Sequence, residues 1–282
     1  MVISSRRLVD RPGGALAFLR HRVVRIVPLY WLLTTLKILG VVLLPGIILR
    51  TSVDLHSVVA SYLFLPVVDA AGNFRPVLPV GWTLTYEFLF YLFFALALAL
   101  RLDVLRIIVP GLGLIAAVAL FRTESWPDWT ILFSTIVLEF VFGVVLAQWT
   151  LRGFRLPPTV AAVLVLGGFV AILAMPMGPE NLRVLTWGVP AFAIVAGAVS
   201  LEHLVAPALP RWLLALGDAS YPIYLSHGFV LSALMLLIGR FIGPGLWTEA
   251  TTIMLCLAVS SMAGWVLFDR VENPLLHLLR PR

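Results

Sequence analysis

Charge is what this chain of 282 residues has least of. Only 12% of its residues are charged, against 61% apolar. A soluble domain carries about a quarter charged and about half apolar residues, so the composition excludes a water-soluble enzyme and a disordered chain. Cysteine is nearly absent too. Cys256 is the single one, so no internal disulfide can form and a disulfide-stapled secreted scaffold is excluded. It reads as a small packed hydrophobe in an apolar run. A signal peptide is also missing, since residues 1–25 hold six arginines and no apolar core of signal length. No Walker loop, dinucleotide fingerprint, His-Glu-x-x-His or paired-cysteine site occurs. No metal site and no tightly bound cofactor are therefore expected.

What is present is apolar mass in continuous Leu/Val/Ala-rich stretches. A membrane helix takes about 20 apolar residues, so the apolar content supplies about eight spans. A transmembrane barrel would alternate apolar and polar positions, and these runs do not. The fold class expected is an all-α polytopic membrane protein. Nine runs can be drawn, near 26–49, 55–68, 80–100, 104–121, 129–149, 159–176, 184–201, 219–239 and 247–268. The second, of about 14 residues, is too short for an ordinary span. The expected organisation is a basic cytoplasmic segment, 1–25, followed by one helical membrane domain, 26–282.

The net charge is +6, and 19 of the 20 basic residues are arginine. In a membrane chain such arginines hold loops in the cytoplasm; a nucleic-acid partner is not expected. If 55–68 does not cross, 14 arginines fall inside (Arg6, Arg7, Arg11, Arg20, Arg22, Arg25, Arg101, Arg106, Arg152, Arg155, Arg211, Arg270, Arg280, Arg282) and five outside (Arg50, Arg75, Arg122, Arg183, Arg240). If it does cross, the split is 10 to nine. The positive-inside rule thus favours eight spans with both ends cytoplasmic. Residues 50–79 then form an outer-side segment, with 55–68 as a re-entrant or interfacial piece. Such a piece needs protein or a wet cavity around it.

Ionisable groups at bilayer depth cost at least about 2.5–3.5 kcal/mol on insertion scales and mark candidate sites. Glu87 is the first. Thr83, Glu87 and Tyr91 are four apart and share a helix face, with Trp82 and Tyr86 beside them. The carboxylate either accepts a proton or orients a sugar hydroxyl, or ties two helices together. His227 is the second, in Ser220-Tyr221-Pro222-Ile223-Tyr224-Leu225-Ser226-His227. Ser220, Tyr224 and His227 recur at helical spacing; the histidine reads equally as a general base or as a helix–helix hydrogen bond. Glu139 and Lys37, both near mid-membrane by count, are expected to form an ion pair. Glu272 is expected in a local ion network with Arg270. Arg22 and Arg25, three apart on one face, present forks suited to phosphate oxygens or simply anchor the topology.

Four motifs occur in order: Arg22-x-x-Arg25-Ile26-x-Pro28-x-Tyr30; Gly81-Trp82-Thr83-Leu84-x-x-Glu87-x-x-x-Tyr91; Leu216-Gly217-x-x-Ser220-Tyr221-x-x-Tyr224-Leu225-x-His227; and Glu272-Asn273-Pro274. Together they resemble the acyltransferase 3 family of membrane acyltransferases. Ser4-Ser5-Arg6-Arg7 and Arg11-Pro12-Gly13-Gly14 resemble its subgroup that decorates exopolysaccharide. The resemblance implies a bacterial inner-membrane O-acyltransferase with about ten helices of ordinary length. It would move an acyl group, commonly acetyl, from cytoplasmic acyl-CoA to a hydroxyl of an extracytoplasmic polysaccharide or its lipid-linked sugar precursor. Acetyl-CoA is then a co-substrate. Glu87 and His227 are the catalytic candidates. Arg22 and Arg25 would hold the CoA phosphates, Ser220, Tyr221, Tyr224 and His227 would line the donor side, and Trp82, Tyr86, Glu87 and Tyr91 the acceptor side. The family's first two helices, with an Arg and a His taken as catalytic, would precede this chain. The start is then expected to be truncated or misassigned, or the chain to be a natural fragment. Rival readings are a transporter or flippase of lipid-linked sugar, which also uses broken helices and polar stripes, and an inactive scaffold of a polysaccharide assembly complex.

Overall fold

The computed structural model describes residues 13–43, 54–68, 72–123, 125–175, 182–241 and 246–279. Ser4, Ser5, Arg6, Arg7, Arg11, Pro12, Arg50, Arg280 and Arg282 lie outside the described residues, as does the side chain of Arg240. Eleven α-helices are described: α1 (Gly14–Leu43), α2 (Leu55–Tyr62), α3 (Gly81–Ala99), α4 (Val104–Ala119), α5 (Val137–Leu151), α6 (Pro158–Ala174), α7 (Val189–Val205), α8 (Arg211–Asp218), α9 (Ser220–Phe241), α10 (Leu246–Leu267) and α11 (Asn273–Leu279). Short 3₁₀ and π turns extend several of them, and among the described residues the only β pairing is an isolated bridge between Val68 and Phe74.

Among the described residues, six helical stretches are long and apolar enough to cross a membrane: Gly14–Leu43, Gly81–Ala99, Asp128–Leu151, Val184–Ala208, Ser220–Ile238 and Glu249–Leu279. Two more apolar helices, α4 and α6, have 16 and 17 residues and at 1.5 Å per residue reach about 25 Å. These eight fall on eight of the nine apolar runs. The chain is an all-α, multi-pass membrane protein. Large apolar side chains face outward where lipid would lie, as with Leu166 at 67% and Leu173 at 85% exposure.

The ninth run, 55–68, holds only the eight residues of α2, about 12 Å of helix, too short to cross a hydrocarbon core of about 30 Å. Asp54 caps it, accepting from the Ser57 amide at 2.9 Å and the Ser57 hydroxyl at 2.5 Å. Its inward face is small (Ser57, Ala60, Ser61) while Leu55, Val59 and Leu63 point out. Protein surrounds the inward side. Ser61 Oγ accepts from the Val77 amide at 2.9 Å, and the Trp31 indole donates to the Tyr62 carbonyl at 2.9 Å.

α1 starts at Gly14, well before the apolar run expected at 26. Hydropathy marks membrane depth, whereas helix formation continues through Arg20, Arg22 and Arg25, which are good helix formers. Thirty residues make about 45 Å of helix, so the arginines ride on a helix that outruns the hydrocarbon.

The described chain groups into two compact units. The first is Met1–Arg20 with Thr85–Ala208; the second is His21–Leu84 with Leu209–Arg282. Both α1 and α3 run from one unit into the other. In the first unit α6 and α7 approach through glycines. A Cβ on Gly168 would lie 2.8 Å from the Pro190 carbonyl oxygen, and one on Gly197 would lie 2.5 Å from that of Ala161. Close backbone approach at small residues is the usual packing device between membrane helices. In the second unit α9 and α10 cross at Gly264, where a Cβ would sit 2.7 Å from the Ile223 amide nitrogen.

Candidate functional site

The second unit holds a hydroxyl–histidine cluster. Tyr224 Oη and Thr83 Oγ1 each lie 3.0 Å from the Val80 carbonyl and 2.6 Å from each other, so that one hydroxyl donates to the other and the second donates to the carbonyl. The start of α3 is thereby fixed to the second turn of α9. Gly81 makes this possible: a Cβ there would lie 2.5 Å from Tyr30 Oη, and Tyr30 is 1% exposed. Tyr221 Oη donates to the Ile26 carbonyl at 2.7 Å, which pins α9 to α1 beside Arg25.

His227 sits one turn beyond Tyr224 and is half-buried. Its Nδ1 lies 2.6 Å from the Tyr224 carbonyl. A carbonyl only accepts, so Nδ1 carries the proton, and the neutral ring has its lone pair on Nε2. A ring held at one nitrogen and basic at the other is the arrangement a general base needs. Ser220, placed on the same stripe by spacing, is exposed at the first residue of α9, whereas Ser226 is buried.

Arg22 is half-buried and Arg25 exposed on α1. Glu272 is 4% exposed, and the charge it senses is that of Arg25. Arg270 pairs instead with its neighbour Asp269 at 3.4 Å. The expected Glu272–Arg270 network is thus corrected. The π turn Phe268–Glu272 turns Glu272 inward and leaves Arg270 at the surface.

The first unit holds Glu87 and Glu139. Glu87 accepts a hydrogen bond from Tyr91 Oη one turn along α3, as the four-residue spacing predicts. Tyr91 is buried, with Phe18 edge-on at 5.8 Å. Tyr86 Oη donates to the Ile131 carbonyl at 2.6 Å, so this hydroxyl secures α3 to the 3₁₀ turn Asp128–Leu132. Trp82 is half-buried and lies in the second unit, with Thr83. The stripe Thr83–Glu87–Tyr91 is therefore shared. Its first member joins Tyr224, and the other two pair with each other.

The expected Glu139–Lys37 pair is also corrected. Glu139 Oε1 lies 3.9 Å from Arg183 Nε, and the Lys37 ammonium lies over the Phe229 ring at 5.8 Å, within cation–π range. Arg183 was legible only as a loop arginine. Trp187, four residues on, has the Arg183 guanidinium 5.7 Å from its ring centroid, and that spacing was the available signal. Tyr30 was legible only as the end of the first motif, and the Val80 carbonyl left no signal that could be read. Among the described residues no cluster of three or more His, Cys, Asp or Glu could hold a metal.

The all-α multi-pass architecture defines a class, the helical membrane proteins. A family model described as "Acyltransferase domain" matches residues 8–270, and the chain belongs to this acyltransferase 3 family. It is 35% identical over 293 residues to the exopolysaccharide production protein ExoZ of Rhizobium meliloti (strain 1021), covering 100% of this chain and 86% of that protein. It is 29% identical over 300 residues to the acyltransferase MdmB of Streptomyces mycarofaciens, covering 94% of this chain and 75% of that one. No solved structure matches it. The protein is a membrane acyltransferase, of the kind that transfers groups other than aminoacyl groups.

Proposed function

We propose that this enzyme transfers an acyl group, acetyl, from acyl-CoA to a hydroxyl of an extracytoplasmic polysaccharide or its lipid-linked precursor. It would do so in a bacterial inner membrane, with both chain ends cytoplasmic. The observation that carries the reading is His227, held through Nδ1 by the Tyr224 carbonyl, next to the Tyr224–Thr83 hydroxyl pair. The printed name of the exopolysaccharide relative supports a polysaccharide acceptor. The arginine distribution supports the sidedness.

The chemistry follows from these groups. The acceptor hydroxyl oxygen attacks the thioester carbonyl carbon while His227 Nε2 takes its proton. The tetrahedral intermediate collapses, the carbon–sulfur bond breaks, and the CoA thiolate leaves and receives the proton. Tyr224 and Thr83, tied to the Val80 carbonyl, hold the His227 turn in register. Arg22 and Arg25, as forked cations, hold donor phosphates. Trp82 offers a stacking face to a sugar ring, and in the other unit Glu87, oriented by Tyr91, offers a carboxylate to a sugar hydroxyl.

The test is transfer of radiolabel from [1-¹⁴C]acetyl-CoA into polysaccharide by membranes containing the full chain. Alkali-labile label on the polysaccharide is expected. Sugar movement across the membrane without any label would overturn the reading in favour of a transporter.

A further inference from the structure

A second polar cluster lies in the first unit, apart from the residues given roles above. Just before α7 the backbone widens into a π turn, Val184–Gly188, where the Val189 amide donates to the Val184 carbonyl five residues back. Such turns interrupt the regular ladder and recur at functional sites. Three chemically distinct groups meet there. Arg183 and Glu139 approach at 3.9 Å with side chains 34% and 36% exposed. The Arg183 guanidinium lies over the Trp187 ring. The Trp187 Nε1 is buried, and no described residue accepts its hydrogen bond. Gly188 provides the space, because a Cβ there would lie 3.3 Å from Glu139 Cγ and 3.4 Å from its Oε1. The glycine thus leaves the carboxylate its place.

A helix–helix tie accounts for this poorly. Charges paired only to lower their cost in hydrocarbon gain most when close, and this contact is long, at 3.9 Å. A buried indole N–H without an acceptor carries a desolvation penalty of about 1–3 kcal/mol, which a ligand oxygen would remove. A carboxylate acceptor, a guanidinium donor, an indole donor and an aromatic ring together match a polyol. Hydroxyls donate to Glu139 and accept from Arg183 and Trp187.

We infer that Glu139, Arg183 and Trp187 form a glycan-binding subsite that holds a sugar unit of the acceptor. This rests on the polysaccharide-acceptor reading above, and on its topology, which places Arg183 on the outer side.

The probe is the producing cell's own extracellular polysaccharide, stripped of esters with mild alkali, cut to short oligosaccharides and end-labelled with a fluorophore. Binding to the purified full chain is read by fluorescence polarisation with no acyl-CoA present. Trp187→Phe keeps the ring and deletes the donor; it is expected to weaken binding about two- to tenfold. The double variant Glu139→Leu/Arg183→Leu replaces the pair with apolar side chains, a change that a purely structural pair tolerates. It is expected to elute as the wild type does and to lose binding more than tenfold. Unchanged binding in Trp187→Phe and in the folded double variant overturns the subsite, as does wild-type protein that binds no oligosaccharide. Wild-type binding without label transfer from acetyl-CoA overturns the acyl-transfer reading and leaves the subsite standing.

Discussion

The two units differ in how most of their candidate residues are held, with Tyr86 in the first (tied to the Ile131 carbonyl) and Glu272 in the second (facing Arg25) as exceptions. In the second, side-chain hydroxyls are tied to backbone carbonyls of other segments: Tyr221 to Ile26, and Tyr224 and Thr83 to Val80. The result ties α9 to α1 and to the start of α3 on the stretch that leads to His227. In the first, the carboxylates are matched by side chains, Glu87 by Tyr91 and Glu139 by Arg183. A carbonyl anchor fixes geometry and carries no charge, so it suits a base that must meet a reacting proton in one orientation. A side-chain partner can exchange for a ligand hydroxyl, so it suits recognition. On the reading proposed above, proton transfer belongs to the second unit and the carboxylate contacts of Glu87 and Glu139 to the first.

Substitutions can break or sharpen that contrast. Glu87→Gln keeps the shape and removes the charge. A lost hydrogen bond to a charged group is worth about 1.5–3 kcal/mol, so acyl transfer at low acceptor concentration should fall roughly ten- to a hundredfold, with membrane expression unchanged. A rise in acceptor KM with donor KM constant would place the loss in acceptor binding. Near-normal transfer would remove Glu87 from the site. Arg22→Ala should raise the KM for acetyl-CoA about tenfold through loss of one charge-assisted contact; unchanged donor KM would remove the phosphate role. Tyr224→Phe deletes the hydroxyl but leaves the ring and the carbonyl that His227 uses. A loss of about two- to tenfold in kcat is expected, since one net hydrogen bond is worth about 0.5–1.5 kcal/mol. A loss as large as that from removing His227 would mean that the tyrosine hydroxyl itself touches the reacting atoms.

The smallest effect is expected at Asp54, away from both clusters. The Ser57 hydroxyl, then the Ser57 amide, hold its carboxyl below the ordinary aspartate range. A lowered folded-state value means that the cap acts in full above that range and is lost as pH falls through the lowered value. Asp54→Ala should speed amide exchange in α2 at neutral pH and leave transfer unaffected. The variant and the wild type should converge in strong acid, and a difference that persists there would show that the carboxylate is not the cap.

Much of the architecture could be read in the sequence because bilayer thickness sets run length. The short run at 55–68 was recognisable as non-spanning from its length and from the arginine split, and α2 is only eight residues long. The i, i+4 pair Glu87–Tyr91 was recognisable because helical spacing alone puts the two side chains together. Pairing between helices was not. Glu139 was given to Lys37 because depth along the sequence carries no information about which helix lies alongside. Glu272 was given to Arg270 because the π turn that aims it inward leaves no compositional trace. Thr83 was read with Glu87, since a stripe on one helix does not reveal that the neighbour across from its first turn is Tyr224. Residues that act through backbone carbonyls are the least visible, because the carbonyl has no residue identity to read.

The central claim is that His227 accepts the acceptor's proton at Nε2. It is tested most directly by single-turnover acyl transfer in purified His227→Ala, with and without added imidazole. General-base catalysis contributes about 10²–10⁴-fold, so transfer should fall by that order while acetyl-CoA binding persists, and imidazole should restore part of the rate. Transfer by His227→Ala at the wild-type rate would contradict the account, as would a loss that imidazole leaves untouched while Tyr224→Phe reproduces it in full.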